Sequence, residues 1–347
     1  MLPSLLRSLP RSPLRKRWTP LNFNNPNYGL IHPDQKIEEE TVPDYIASKY
    51  YPMKIGEVIK DRYQVVTKLG FGITSTVWLA RDMEYQKYVT LKILIDKASM
   101  GKYVDDELNI YKRTQSRDAI RSLTDSFDIN GAEHKHRCFV HPPLFESVWA
   151  FLHRNPIGRL PVPLLAVTLK RLFQALDYLH TECCLIHTDI SATNLLFTYK
   201  DNSAFAQAEE EELQDPSPRK EVDDNRLIYL FRDLFKHTED IQPNHYRAPE
   251  VILGVPWSYE VDIWNVGCMI WDIFQGKSLF TGYDPEHEAY RSRAHLAGWL
   301  LRGVTPLEEW EMTLKDEGDR EDREMFTKER ATAGESVDDE WIVKHSS

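Results

Sequence analysis

Asp189 and Asn194 stand five residues apart in the run His187-Thr188-Asp189-Ile190-Ser191-Ala192-Thr193-Asn194. A carboxylate placed there can accept the proton of a hydroxyl and aim its oxygen for in-line attack. A carboxamide oxygen beside it is a neutral ligand suited to magnesium. Far upstream, Leu69-Gly70-Phe71-Gly72-Ile73-Thr74-Ser75-Thr76-Val77 carries two glycines. A hairpin without side chains at those points can fold closely over phosphates, where a Cβ would clash. Between the two motifs, Lys92 closes the β-prone run Val89-Thr90-Leu91, and Glu107 follows in a helix-forming stretch. A cation there suits phosphate oxygens, and an acid is needed to hold it in place. Each signal has an ordinary reading when taken singly: a β-turn for the glycines, a surface lysine and a helix glutamate, a loop aspartate capping a turn.

The elements that would position these groups follow from local pattern. Tyr63-Gln64-Val65-Val66 leads into Gly70, Thr76-Val77-Trp78-Leu79 leads out of the loop, and Tyr88 to Leu91 gives a further short strand. Residues 104–113 read as a short helix. Leu165, Leu169, Leu172, Leu176 and Leu179 recur at helical spacing, so residues 163–180 form a long amphipathic helix that delivers the chain to His187. Residues 262–274 are apolar nearly all round and predict a buried helix. Strands first and helices later make an α+β layout. Residues 1–51 read as an N-terminal tail and linker, Pro- and Asn-rich. The stretch at about 200–226, with its acidic run Glu209 to Glu212, reads as a solvated insert.

Taken in order, the motifs resemble those of eukaryotic protein kinases, and most closely the SR-protein kinases of fungal type. Further matches are Thr238-Glu239-Asp240-Ile241-Gln242, then Tyr246-Arg247-Ala248-Pro249-Glu250, which looks like the close of an activation segment. Asp262-Ile263-Trp264-Asn265-Val266-Gly267 is similar to the central helix whose aspartate holds the catalytic loop, and Arg330 to the arginine that pairs with Glu250. The resemblance covers about residues 52–345. It implies a bilobal fold, with a small ATP-binding lobe at 52–145 and a large helical lobe at 146–345. It implies ATP and magnesium as cofactors and phosphorylation of serine in Arg/Ser-rich proteins. Leu69, Gly70, Gly72, Ser75 and Val77 would surround the nucleotide, with Ser75 in place of the loop's third glycine. Lys92 would meet the phosphates with Glu107 behind it, Asp189 would be the base, and Asn194 the metal ligand. The Leu144 N–H and the Pro142 carbonyl would flank adenine; the alternative is an unrelated Pro-Pro loop.

The pattern also breaks. Thr188 replaces the catalytic-loop arginine of many kinases, a feature of SR-protein kinases. Ser191 replaces a lysine that would neutralise the γ-phosphate. Between Asn194 and Ala248 there is neither Asp-Phe-Gly nor the Asp-Leu-Gly of SR-protein kinases; the nearest run, Asp233-Leu234-Phe235, lacks the glycine. The large lobe is also short after Leu301. The fold is therefore expected to be incomplete in the activation segment and large lobe, through skipped coding segments or as a catalytically inactive pseudokinase.

Bulk properties narrow the partners. The 347 residues carry a net charge of −11, which argues against direct nucleic-acid binding and suits either a basic Arg/Ser-rich partner or plain solubility. No run of about 18 apolar residues is present to span a membrane. Cys138, Cys183, Cys184 and Cys268 form no C-x-x-C pair and read as reduced thiols of a cytoplasmic or nuclear protein. Arg7, Arg11, Arg15, Lys16 and Arg17, with leucines between them, admit a mitochondrial targeting segment or a disordered basic tail.

Overall fold

The structure, a computed structural model, describes residues 17–114, 119–131, 134–155, 158–198, 201–223, 226–232, 246–275, 278–297 and 332–346. In chain order the strands are β1 (Val58–Ile59), β2 (Tyr63–Gly72), β3 (Ser75–Asp82), β4 (Lys87–Asp96), β5 (Asp125–Asn130), β6 (Lys135–His141), β7 (Arg219–Asp223), β8 (Arg226–Tyr229), β9 (Tyr283–Asp284) and β10 (Ala289–Tyr290). The helices are α1 (Lys97–Met100), α2 (Tyr103–Arg113), α3 (Val148–Arg154), α4 (Val162–Thr181), α5 (Ser203–Gln214), α6 (Pro249–Leu253), α7 (Glu260–Gln275), α8 (Ala333–Val337) and α9 (Glu340–His345). The chain divides into two compact units. One draws on Met1–Glu107, Leu123–Pro143 and Lys200–Leu234, the other on Leu108–Ser122, Leu144–Tyr199 and Phe235–Ser347. Strands dominate the first and helices the second, so the fold is α+β.

The first unit is built on a six-stranded antiparallel sheet in the order β1-β2-β3-β4-β6-β5. Alternation along the strands sends Tyr63, Val65, Trp78, Ala80, Val89, Leu91, Cys138 and Val140 into one apolar cluster with Met53 and Tyr229. The opposite face is apolar too: Val66, Leu79 and Tyr88 form a second cluster. A sheet with two apolar faces needs two covers, and this explains why every residue from Tyr63 to Lys68 is buried.

The second cover comes from segments that the sequence reading placed outside the fold. Residues 17–51, expected to be tail and linker, lie against this unit. Trp18 packs on Tyr88 with ring centroids 5.6 Å apart, and the Arg81 guanidinium sits 4.7 Å over Trp18. The Gln64 carboxamide bonds the Leu21 backbone in both directions, each at 2.8 Å. Nor is the acidic run merely solvated. Helix α5 presents Phe205 and Ala208 to the second cluster. Glu212, on the same helix face, is only 1% exposed and is ringed by Thr67 Oγ1 at 2.9 Å, Ser217 Oγ at 2.6 Å and Arg232 Nε at 3.0 Å. The hairpin β7–β8 then bonds the N-terminal segment through Arg219 and Gly29, 2.9 Å from N to O.

The second unit is helical. Leu165, Leu169, Leu172, Leu176 and Leu179 of α4 are buried against Val266, Met269, Ile270 and Ile273 of α7 and against Trp341 and Ile342 of α9. Cys183 and Cys268 are buried here and Cys138 in the sheet, while Cys184 is exposed. Asp233, Thr238 to Gln242, Leu301, Arg330 and the basic residues 7–16 lie outside the described residues. No helix among the described residues is long and apolar enough to cross a membrane.

Lys68 ties the first unit together. It is fully buried, forms an ion pair with Glu39, lies 3.5 Å from Glu38 and donates to the Tyr229 carbonyl at 3.2 Å. Removing one partner of such a group strands the others without water. Lys68→Met is therefore expected to lower the unfolding free energy by about 3–5 kcal/mol, read from urea unfolding; a change within about 0.5 kcal/mol, as for a surface site, would refute it. Glu38 adds a pH dependence. Burial pushes its carboxyl above its ordinary value of 4.5, with Lys68 and the Phe231 N–H pulling it down less strongly. The native state then holds the proton more tightly than the unfolded chain. The Glu38 contribution is fully present below 4.5 and is lost as pH rises through the raised native value. Glu38→Gln abolishes this titration, so the stability of the variant relative to the parent should improve as pH is raised above 4.5; a difference that stays constant with pH would contradict it.

Candidate active site

In the first unit the glycines sit where β2 turns into β3. Gly70 is the cross-strand partner of Val77 and Gly72 of Ser75, with Ile73 and Thr74 at the turn. A Cβ built on Gly70 or Gly72 would meet nothing within 4 Å. The hairpin backbone is thus bare beside open space, and this fits a polyphosphate laid against it. Val77 is in turn the partner of Lys92 on β4, so Gly70, Val77 and Lys92 form one row across three strands. Lys92 Nζ bonds Glu107 Oε1 of α2 at 2.7 Å, and both side chains are about one quarter exposed, 24% and 25%. The pair is open enough for the ammonium to meet a ligand and close enough to fix its direction. Leu69 packs against the second sheet cluster, and Ser75 is buried.

In the second unit, α4 and α7 hold the catalytic-loop motif. Asp262 is fully buried and accepts three hydrogen bonds: Thr188 N–H at 2.7 Å, His187 N–H at 2.8 Å and the His180 ring at 2.9 Å. This matters because Thr188 has φ of +68°, a left-handed conformation that a β-branched residue adopts only under constraint. The buried carboxylate supplies that constraint, and the kink delivers Asp189 to the surface. Asn194 Nδ2 donates to both the Asp189 carbonyl at 2.9 Å and Asp189 Oδ2 at 2.8 Å. Its amide nitrogen faces Asp189, so the carboxamide oxygen is the atom left to offer a cation. A neutral carboxamide oxygen is a donor that fits magnesium. Ser191 is buried, its hydroxyl 2.7 Å from Thr193 Oγ1, so nothing cationic stands at that position.

Beside Asp189 opens a cleft of about 270 Å³, walled by Thr188, Tyr246, Arg247, Val251 and Trp257. Tyr246 is anchored at both ends, its hydroxyl on Asp272 at 2.8 Å and its carbonyl on Asn265 Nδ2 at 2.7 Å. Asp272 and burial together push its phenol far up, burial most, so it stays a donor. Leu144 lies in the coil that leaves β6, half-buried, just before Phe145 bonds the Phe197 carbonyl at 2.8 Å. Asp284, Glu286 and His287 gather elsewhere, but Arg293 already occupies Asp284 at 2.6 and 3.0 Å. The structure therefore brings Lys92 to Glu107, Asp189 to Asn194, and the two glycines to Ser75 and Val77. Sequence reasoning missed His180, whose only signal was its place in the last turn of α4, and the cleft wall at Trp257, which had no local signal.

The protein kinase domain family matches residues 63–342. A serine/threonine protein kinase of Aspergillus fumigatus is 36% identical over 310 residues, which is 81% of this chain and 74% of that protein. The serine/threonine-protein kinase SRPK of Physarum polycephalum is 31% identical over 286 residues, 70% and 67% of the two chains. SRSF protein kinase 3 of Mus musculus is 36% identical over 183 residues, 50% and 32%. With the two-glycine hairpin, the lysine–glutamate pair and the braced Asp189 loop in place, these matches settle the class: the chain belongs to the protein kinase family and is a serine/threonine kinase with SRPK-like relatives.

Proposed function

We propose that this chain binds ATP with magnesium and phosphorylates serine in Arg/Ser-rich proteins, at a turnover slowed by the lack of an Asp-Phe-Gly or Asp-Leu-Gly metal-binding acid. The observation that carries the reading is the Asp189–Asn194 pairing on a loop braced by Asp262. In this reading Asp189, exposed at the cleft, takes the proton of the serine hydroxyl and aims its oxygen. Lys92, held by Glu107, meets the α- and β-phosphates. Leu69, Gly70, Gly72, Ser75 and Val77 line the nucleotide, and the Leu144 N–H takes an adenine edge. Asn194 would hold magnesium, which when bound supplies neutralisation of the phosphoryl charge. The net charge of −11 favours an arginine-rich partner through long-range attraction, and the relatives' names point the same way. Such substrates suit a protein of the cytoplasm and nucleus.

A second reading has its own observation. No Asp-Phe-Gly or Asp-Leu-Gly stands between Asn194 and Ala248, and this favours a pseudokinase that holds nucleotide and partner without turnover. One set of measurements separates the two. Fluorescence anisotropy should show tighter binding of an Arg-Ser repeat peptide than of a Lys-Ser control, weakening with salt. Phosphate transfer with Mg-ATP should be slower by about 10²–10³ than in a relative with the complete metal site, and Asp189→Asn should lower it a further 10²–10⁴-fold or so. Equal affinity for both peptides would remove the Arg/Ser assignment. Tight nucleotide binding with no transfer that depends on Asp189 would establish the second reading.

A further inference from the structure

A glycine-rich hairpin gains close approach to phosphates and loses stiffness by the same means. Gly70 and Gly72 offer no side chain to anchor it, and Ile73 at the turn is 61% exposed. The β2–β3 pairing ends at Gly72 and Ser75, so the peptides of the turn itself need a further anchor. The structure supplies an anchor from the N-terminal segment. The Tyr50 hydroxyl lies 2.9 Å from the Ile73 carbonyl oxygen and 3.2 Å from that of Gly72, a single donor shared between successive carbonyls. A third carbonyl in line, that of Thr74, accepts from the Ile95 N–H at 2.9 Å.

Tyr50 is itself rigidly held. It is buried, its ring lies against Tyr45 with centroids 5.1 Å apart, its N–H closes the turn Ala47–Lys49 at 3.1 Å, and its carbonyl accepts from Arg226 Nη2 at 3.0 Å. Burial and the nearby Glu39 raise its phenol above the ordinary value of 10, so the hydroxyl keeps the proton it donates. Four residues before Gly72, the Lys68–Glu39 pair fastens the same N-terminal segment to β2.

We propose that Tyr50 is a positioning residue for the nucleotide phosphates: by fixing the Gly72 and Ile73 carbonyls on its own side, it turns the following N–H groups to the opposite face of the loop. The step rests on peptide geometry. In a trans peptide the C=O and the next N–H point in opposite directions, so the two anchored carbonyls orient the Ile73 and Thr74 N–H groups together. Free loop peptides would have to be ordered at the moment of binding; here the order is present beforehand, and preorganisation of this kind raises affinity. The inference deepens the nucleotide-binding reading of the hairpin and depends on it.

Tyr45 provides a matched control, since its buried hydroxyl has no hydrogen-bond partner among the described residues. Affinities for Mg-ATP and for adenosine are measured by titration calorimetry on the full chain, on Tyr50→Phe and on Tyr45→Phe, with backbone hydrogen exchange followed over residues 69–77. Tyr50→Phe should weaken Mg-ATP binding by about five- to tenfold, the worth of one hydrogen bond. Adenosine, which carries no phosphate, should bind unchanged, and loop exchange should speed up. Tyr45→Phe should change none of these. Equal losses for ATP and adenosine, or the same loss in Tyr45→Phe, would overturn the proposal by reducing Tyr50 to packing. Should the unmutated chain bind neither ligand, the nucleotide reading fails and the phosphate-positioning claim falls with it; should it bind both, an unaltered Mg-ATP affinity in Tyr50→Phe would overturn the positioning claim alone.

Discussion

An ammonium group taken out of water must find its whole environment in the protein, and Lys68 finds it in three places. Glu38 and Glu39 come from the N-terminal segment, and the Tyr229 carbonyl comes from the end of β8. Neither cover of the sheet could leave without exposing an uncompensated charge. This is why residues 17–51, 201–223 and 226–232 belong with β2–β4 in one compact unit. The polar bonds around it serve the same end: Glu212 collects Thr67, Ser217 and Arg232 where an isolated buried carboxylate could not persist.

The second unit solves a different problem by the same logic. Its functional loop must bend sharply in a place where the sequence offers threonine instead of glycine. The strain of a left-handed Thr188 is met by one buried acid, Asp262, whose oxygens take two backbone N–H groups and the His180 ring. Helices α4 and α7 are therefore more than scaffold: one carries the histidine, the other the aspartate, and their leucine-rich packing sets the distance between them.

What was legible in the sequence was whatever depends on near neighbours along the chain. The leucine spacing of α4 gave the helix, and the spacing of Asp189 and Asn194 gave the loop, because both are local patterns. Lys92 and Glu107 were legible because a β-prone run and a short helix each showed their own signal. The N-terminal cover was not. Trp18, Phe23 and Tyr50 lie on an irregular path broken by short 3-10 turns, so their apolar contacts obey no period. Helix α5 was half legible: Phe205, Ala208 and Glu212 have helical spacing, but Glu212 sits in a run of four acids, and nothing local tells which one faces inward. That answer lies in Thr67 and Arg232, far away in sequence.

The placement of the four thiols has a practical meaning. Cys184 is exposed, whereas Cys138 is enclosed in the sheet and Cys183 and Cys268 in the helical core; burial also pushes the Cys138 thiol far up, away from the reactive thiolate. An alkylating reagent therefore meets one sulfur in the native chain and the other three only after a breach. Because Cys138 belongs to one unit and Cys183 and Cys268 to the other, the order in which they become labelled would report which half of the molecule opens first, with no dye or tag introduced.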